Sequence, residues 1–140
     1  TPAKYYYTDL GLRNARLGFR QLEETHIMEN VLYNDLIRRG MNVDVGVVEY
    51  NTKDADGKKI RKQLEVDFVV NQGGKRFYIQ SALSIADPDK KEQEIESLKR
   101  IPDSFSKMVV VRDYLKPWQD ENGITYLGIE QFLLNEELLK

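Results

Sequence analysis

The sequence predicts an α/β domain, a mixed β-sheet with helices on both faces, in the order α-β-β-β-α-β with one further helix at the C-terminal end. Three observations carry this expectation. Residues 21–39 repeat apolar side chains at three- and four-residue spacings. Residues 43–82 hold three strand-like runs separated by turn signals. After Asp87-Pro88 a charged helical stretch precedes the apolar run Ser106-Lys-Met-Val-Val-Val-Arg, so a helical crossover leads into a buried strand parallel to an earlier one.

Taken in order, residues 4–8 (Lys-Tyr-Tyr-Tyr-Thr) favour an extended conformation, and Asp9, Gly11, Asn14 and Gly18 break up the next stretch. We read residues 1–20 as a junction to a missing upstream region, because the chain opens without methionine, and residues 21–140 as the domain. The first helix carries Leu22, Ile27, Met28, Val31, Leu32, Leu36 and Ile37, with Glu23 and Glu24 early enough to suit the positive end of its dipole, and Gly40 ends it. Residues 43–51 read as a strand and residues 52–58 as a turn. In the next run Leu64, Val66, Phe68 and Val70 share one face at period two, leaving Glu65 and Asp67 on the other. A four-residue reversal, Asn71 to Gly74, leads to a strand with Phe77, Ile79, Ser81 and Leu83 on one face and Tyr78, Gln80 and Ala82 on the other.

Asp87 caps and Pro88 starts a helix that turns Ile95 and Leu98 inward and ends near Pro102. Trp118 falls in a polar loop, as a core anchor of that loop or a partner contact. Ile124 to Leu127 is expected as an edge strand, and an amphipathic helix through Ile129, Phe132, Leu133 and Leu138 closes the chain.

Composition bounds the chemistry. At 140 residues the chain suits one domain with a real core. It has no cysteine, which excludes disulfides and thiolate metal sites and suits a reducing cytoplasm. Its apolar runs are far shorter than the roughly 20 residues a spanning helix needs, so no membrane association is expected. With 21 basic and 23 acidic residues the net charge is -2, and no global positive field draws phosphates. Any nucleic-acid contact would be local, with Arg61, Lys62, Lys75 and Arg76 flanking the central hairpin as phosphate contacts or as ordinary edge protection.

Glu29 shares a side of the first helix with Tyr33 and Ile37, which borders it on an apolar stripe. It is a boundary glutamate or a site carboxylate. His26, one turn earlier, is the only histidine, and one histidine without cysteine builds no zinc site. Asp54, Asp56, Gly57 and Glu65 superficially suggest a calcium loop, but the glycine comes two positions early and Lys58 occupies a ligand place, so a hairpin turn is expected instead.

The element order, with Glu29 on the first helix, Asp67 on the second strand and a polar residue on the third, resembles the restriction-endonuclease-like, or PD-(D/E)XK, nuclease fold. More closely, Lys-Tyr-Tyr-Tyr-Thr-Asp-Leu-Gly-Leu-Arg-Asn at residues 4–14, His26-Ile-Met-Glu29-Asn30-Val-Leu-Tyr33 with Leu36-Ile-Arg-Arg-Gly40, Glu65-Val-Asp67-Phe-Val and Tyr78-Ile-Gln80 resemble a C-terminal domain of unknown function. That domain stands behind the ATPase module in a large bacterial and archaeal AAA+ ATPase family. The resemblance covers nearly the whole chain. It implies an ATP-binding module and a winged-helix-like segment upstream, with Tyr5 to Leu12 as the junction. No Walker motif occurs among these residues, so ATP is expected only on the upstream module.

An active member of the nuclease fold needs acids from three elements to hold a divalent cation and a lysine to organise the attacking water. Glu29 and Asp67 match two of these places. Gln80 stands where the third acid is expected and Ala82 where the lysine is expected. Glu65 shares the strand face with Asp67 and either supplies the missing charge or points to the far end of the sheet, while Lys90 or Lys91 would have to reach in from the following helix to replace the lysine, which is not expected. The resemblance therefore implies a vestigial catalytic set of Glu29, Asp67 and Gln80, with Asp67, Glu29 and Glu65 holding magnesium weakly if at all. We expect a non-catalytic regulatory or partner-binding module serving its own upstream ATPase module or another protein. The alternatives are a metal-dependent nuclease and a nucleic-acid-binding module.

Overall fold

The computed structural model describes residues 19–140. Helix α1 (Phe19–Arg38) leads into strands β1 (Asn42–Lys53), β2 (Lys59–Gln72) and β3 (Lys75–Ala82), helix α2 (Pro88–Lys99), strands β4 (Ser106–Val111), β5 (Trp118–Gln119) and β6 (Ile124–Gly128), and helix α3 (Ile129–Leu134). The six strands form one sheet in the order β1-β2-β3-β4-β6-β5. β1, β2 and β3 are an antiparallel meander, β3, β4 and β6 run parallel, and β5 folds back antiparallel on β6. The mixed α/β architecture is the expected one. The proposed strand and residues 1–18 of the proposed junction (1–20) lie outside the described residues, and Phe19 and Arg20 belong to α1.

Two cores sandwich the sheet. On one face Leu32 and Leu36 of α1 and Phe132 of α3 meet Phe68, Val70, Phe77, Ile79, Met108, Val110 and Leu127. On the other, Ile95 and Leu98 of α2 cover Val66, Tyr78, Ala82, Val109, Val111, Ile124 and Tyr126. Period two on β3 and β4 distributes alternate side chains between them.

Helix α1 ends as a Schellman motif: Gly40 adopts φ +77°, its N–H bonds the carbonyl of Ile37, and the Met41 N–H bonds that of Leu36. Met41 and Leu36 then join the same core. The helix begins at Phe19, so Glu23 and Glu24 fall beyond its first turn, which holds no acid; the expected dipole role does not apply. Helix α2 starts as predicted, with the Asp87 carboxylate accepting the Asp89 N–H at 3.0 Å and Pro88 in the first helical place.

Five other expectations are corrected. The central reversal is a two-residue turn, since Gln72 pairs with Lys75. Gly73 takes φ +59°, as the first central position of a type II′ turn requires. Ile124 to Leu127 is an interior strand, because Trp118 and Gln119 form a two-residue strand that takes the edge. Trp118 is therefore not in a loop; it is 41% exposed, with its ring stacked 4.5 Å from that of buried Tyr126. The last helix stops at Leu134 instead of reaching Leu138, for Arg39 draws off the carbonyls of Phe132 and Asn135 at 2.8 and 3.0 Å. Leu139 returns to the core in the succeeding turn.

The fifth correction matters most. Leu64, Val66, Phe68 and Val70 do not line one face, because Val66 lies in the α2-side core and Phe68 and Val70 in the α1-side core. Asp44 pairs with Val69 but Gly46 with Val66, so Asp67 and Phe68 together oppose Val45 in a β-bulge. One extra residue reverses the alternation on either side of it.

Candidate functional site

The bulge is where β2 and β3 part. Their backbone ladder runs from Gln72–Lys75 to Phe68–Ile79 and stops. Beyond it two side chains take over the cross-strand bonds. The Asp67 N–H, left without a ladder partner, donates to Gln80 Oε1 at 2.6 Å. In return Asp67 Oδ2 accepts the Ser81 N–H at 2.8 Å and the Ser81 hydroxyl at 3.1 Å. Gln80 Nε2 reaches across to α2, donating to the Glu94 carbonyl at 3.0 Å and to Ser97 Oγ at 3.3 Å. All four polar side chains are buried: Asp67, Gln80, Ser81 and Ser97. Buried polar groups need such partners, and here they partner one another.

Past this fork, beyond the carboxyl ends of β3 and β4, lies a cavity of about 380 Å³ between the N-terminal parts of α1 and α2. Parallel strands diverge from their loops at this end, where α/β sheets generally leave room for ligands. Its walls include Thr25 and Met28 from α1, Ser81, Ala82 and Ser84 from β3 and the segment after it, and Lys90 from α2. Arg112, at its rim, is ion-paired to Glu24 and to Asp113.

The structure brings Asp67 and Gln80 together as the sequence predicts, and Ala82 is buried against the α2-side core while also lining the cavity. Glu29 is 3% exposed, well inside the boundary position expected of it. Tyr33 and Ile37, expected on the same side, are exposed. Each four-residue step along a helix drifts by about 40°, so Tyr33 after one step and Ile37 after two have turned from the Glu29 side towards solvent. Glu65 is exposed, whereas Asp67 two residues on is buried. Among the described residues no group of three histidine, aspartate or glutamate side chains is arranged to hold a metal ion, so Glu29, Asp67 and Glu65 do not form one. His26 lies in the second turn of α1, partly buried. Asp54 is a turn residue, its Oδ1 accepting the N–H groups of Asp56 and Lys58 at 2.9 Å each.

Of Lys90 and Lys91 on α2, only Lys90 lines the cavity. Lys91, one residue and about 100° further round, lies 4.8 Å from the Trp118 ring centre and 5.0 Å from that of Tyr126. Burial pushes the Tyr126 hydroxyl well above the usual tyrosine range, and its bond to Asp120 at 2.7 Å adds to the shift. Sequence reasoning missed Ser81 and Ser97. Ser81 carried a signal, a polar residue in the otherwise apolar series Phe77, Ile79, Ser81, Leu83; nothing in the sequence linked Ser97 to Gln80.

No family model matches the chain. It is similar to an uncharacterized protein of Haemophilus influenzae, 28% identical over 134 residues, which make up 96% of this chain and 29% of that protein. The chain thus spans less than a third of the length of that relative.

Proposed function

We propose that residues 21–140 are a restriction-endonuclease-like domain of the kind found behind the ATPase module in an AAA+ ATPase family, and that it acts as a non-catalytic regulatory or partner-binding module. The order α-β-β-β-α-β in a mixed sheet supports the fold reading. The match of 96% of this chain to 29% of a longer relative supports a module within a larger protein. Its partner is then the upstream ATPase module or a second protein, in the cytoplasm. No helix among the described residues is long and apolar enough to cross a membrane.

One observation carries the non-catalytic reading: both ends of the Gln80 amide are engaged in holding the strand fork together. A hard cation such as magnesium is held chiefly by carboxylates, and the donor set fits it poorly. Gln80 contributes an amide in place of an acid, Asp67 Oδ2 already accepts two hydrogen bonds from Ser81, and Glu65 is exposed. We therefore derive no chemical step through a metal. The alternative, a metal-dependent nuclease or nucleic-acid-binding module using Glu29, Asp67 and Glu65 or Gln80, is favoured by the burial of Glu29 and of Asp67, whose hydrogen-bond partner Ser81 lines the cavity.

Isothermal titration with magnesium and manganese decides between them, with Asp67→Asn and Asp67→Ala as controls. The expected outcome is no saturable binding up to millimolar metal. Saturable binding that both substitutions abolish, in variants that still unfold cooperatively, overturns the proposal in favour of the nuclease.

A further inference from the structure

Helix α1 has an outer face with an unusual composition. Between Thr25 and Arg38 its exposed residues are Ile27, Asn30, Val31, Tyr33, Asn34 and Ile37, and none is charged. The two carboxylates of this stretch, Glu29 and Asp35, are buried instead. In a chain of which 31% is charged, solvent would ordinarily face lysines and glutamates here. Ile27 is 62% and Ile37 47% exposed. The apolar spacing that predicts the helix thus describes two faces, of which the described residues cover one.

The uncovered face has a seam and a symmetry. Residues 27, 30, 34 and 37 keep the 3-4-3 spacing of alternating a and d positions in a coiled coil, flanked by Val31 and Tyr33. The set is also palindromic about residue 32: Ile27 answers Ile37, Asn30 answers Asn34, and Val31 answers Tyr33. A two-fold interface requires one patch to complement itself. Laid antiparallel on a second α1, this seam opposes isoleucine to isoleucine and amide to amide, and paired core asparagines are a device that fixes register.

Charge at the two ends chooses the direction. Exposed Glu23 precedes the seam, and Arg38, 56% exposed while bonded to Asp35 and Glu136, lies after it. An antiparallel pair brings Glu23 of one copy beside Arg38 of the other and opposes the helix dipoles. A parallel pair would set each charge against its like. We propose that the outer face of α1 is a homodimer interface, two copies of the chain pairing this helix antiparallel, Ile27 and Asn30 of one against Ile37 and Asn34 of the other.

Sedimentation equilibrium over micromolar to hundreds of micromolar protein tests the assembly. The expected mass is twice the 16.3 kDa of the monomer. Ile27→Glu and Ile37→Glu should each raise the dissociation constant by roughly tenfold or more, with circular dichroism confirming an intact fold. Because the chain has no cysteine, disulfide trapping reads the direction. Mixed Ile27→Cys and Ile37→Cys chains should oxidise to a linked heterodimer, and neither variant should link to itself. A monomer at every concentration, a dimer indifferent to both glutamates, or self-linking of Ile27→Cys overturns the proposal.

Discussion

At the scale of single residues, Gln80 holds the fork by an exchange of bonds that a period-two strand would not need. Gln80→Ala leaves the buried Asp67 N–H without its acceptor and removes the tie to α2, so a loss of about 1–3 kcal/mol is expected in denaturant unfolding. A second polar cluster sits at the opposite end of β3. Tyr78 donates to Asp103 Oδ2 at 2.5 Å, and Arg76 approaches the same hydroxyl at 3.4 Å. Burial, reinforced by Asp103, pushes the Tyr78 hydroxyl above its usual range despite the opposing effect of Arg76. Burial works against the Asp103 carboxylate, but hydrogen bonds from Tyr78 and the Phe105 N–H, with the nearby Lys107 charge, hold it below the usual range.

These directions fix the pH dependence. An acid with a lowered folded pKa contributes stability above its unfolded value and loses it as pH falls, so Asp103 weakens the fold from about pH 4 downward. A tyrosine with a raised folded pKa contributes below its unfolded value, so the Tyr78 contribution fades from about pH 10 upward. Asp103→Asn is expected to lower the melting temperature at neutral pH and leave its acid end nearly unchanged, so that the acid limb flattens. An unaltered acid limb would show that Asp103 is not a source of it.

At the scale of elements, the β2 bulge accounts for both the site and its illegibility. Gly46 lies opposite Val66 where the register resumes, and a Cβ built there would come 2.6 Å from Val69 Cγ2 and 3.2 Å from Val66 Cβ. Valine is stiff at χ1 and gives way poorly. Gly46→Ala is therefore expected to cost about 1–3 kcal/mol by overpacking, whereas Gly74→Ala, with nothing within 4 Å, should be tolerated. Chemical denaturation of the pair checks the contrast. Equal effects would mean that the tight approach at the bulge is not what constrains residue 46.

At the scale of the whole molecule, a buried ion pair ties the first helix to the end of the chain. Arg39 Nε bonds Asp35 at 2.8 Å, with the two side chains 4% and 7% exposed, while its other nitrogens hold the carbonyls of Phe132 and Asn135. Its guanidinium also lies 5.2 Å from the Phe132 ring centre. Arg39→Ala removes one of the two arginine partners of buried Asp35, leaving Arg38, and frees the last turn, so a loss of about 1–3 kcal/mol is expected. Amide exchange from residues 132–140 should rise first. Unchanged protection there would refute the docking role of Arg39.

The local elements are legible in the amino-acid order alone: the α1 stop at Gly40, the Asp87-Pro88 start of α2, the central hairpin and the buried parallel strand β4. Each needs only a few neighbouring residues, through a glycine at positive φ, a cap, a turn or an apolar run. Asp67 and Gln80 are legible as members of one hairpin, but the expected four-residue reversal sets Asp67 opposite Tyr78, and only the observed two-residue turn brings it to Gln80. Long-range packing settled the rest. A bulge is set by a partner strand, so the split of Val66 from Phe68 between two cores, and the conversion of Gln80 into a hydrogen-bonded brace, leave no trace in period two. Likewise helical spacing cannot say how many faces are covered. It assigns Ile27, Val31 and Ile37 the same weight as Leu32 and Leu36, and only packing against the sheet separates them.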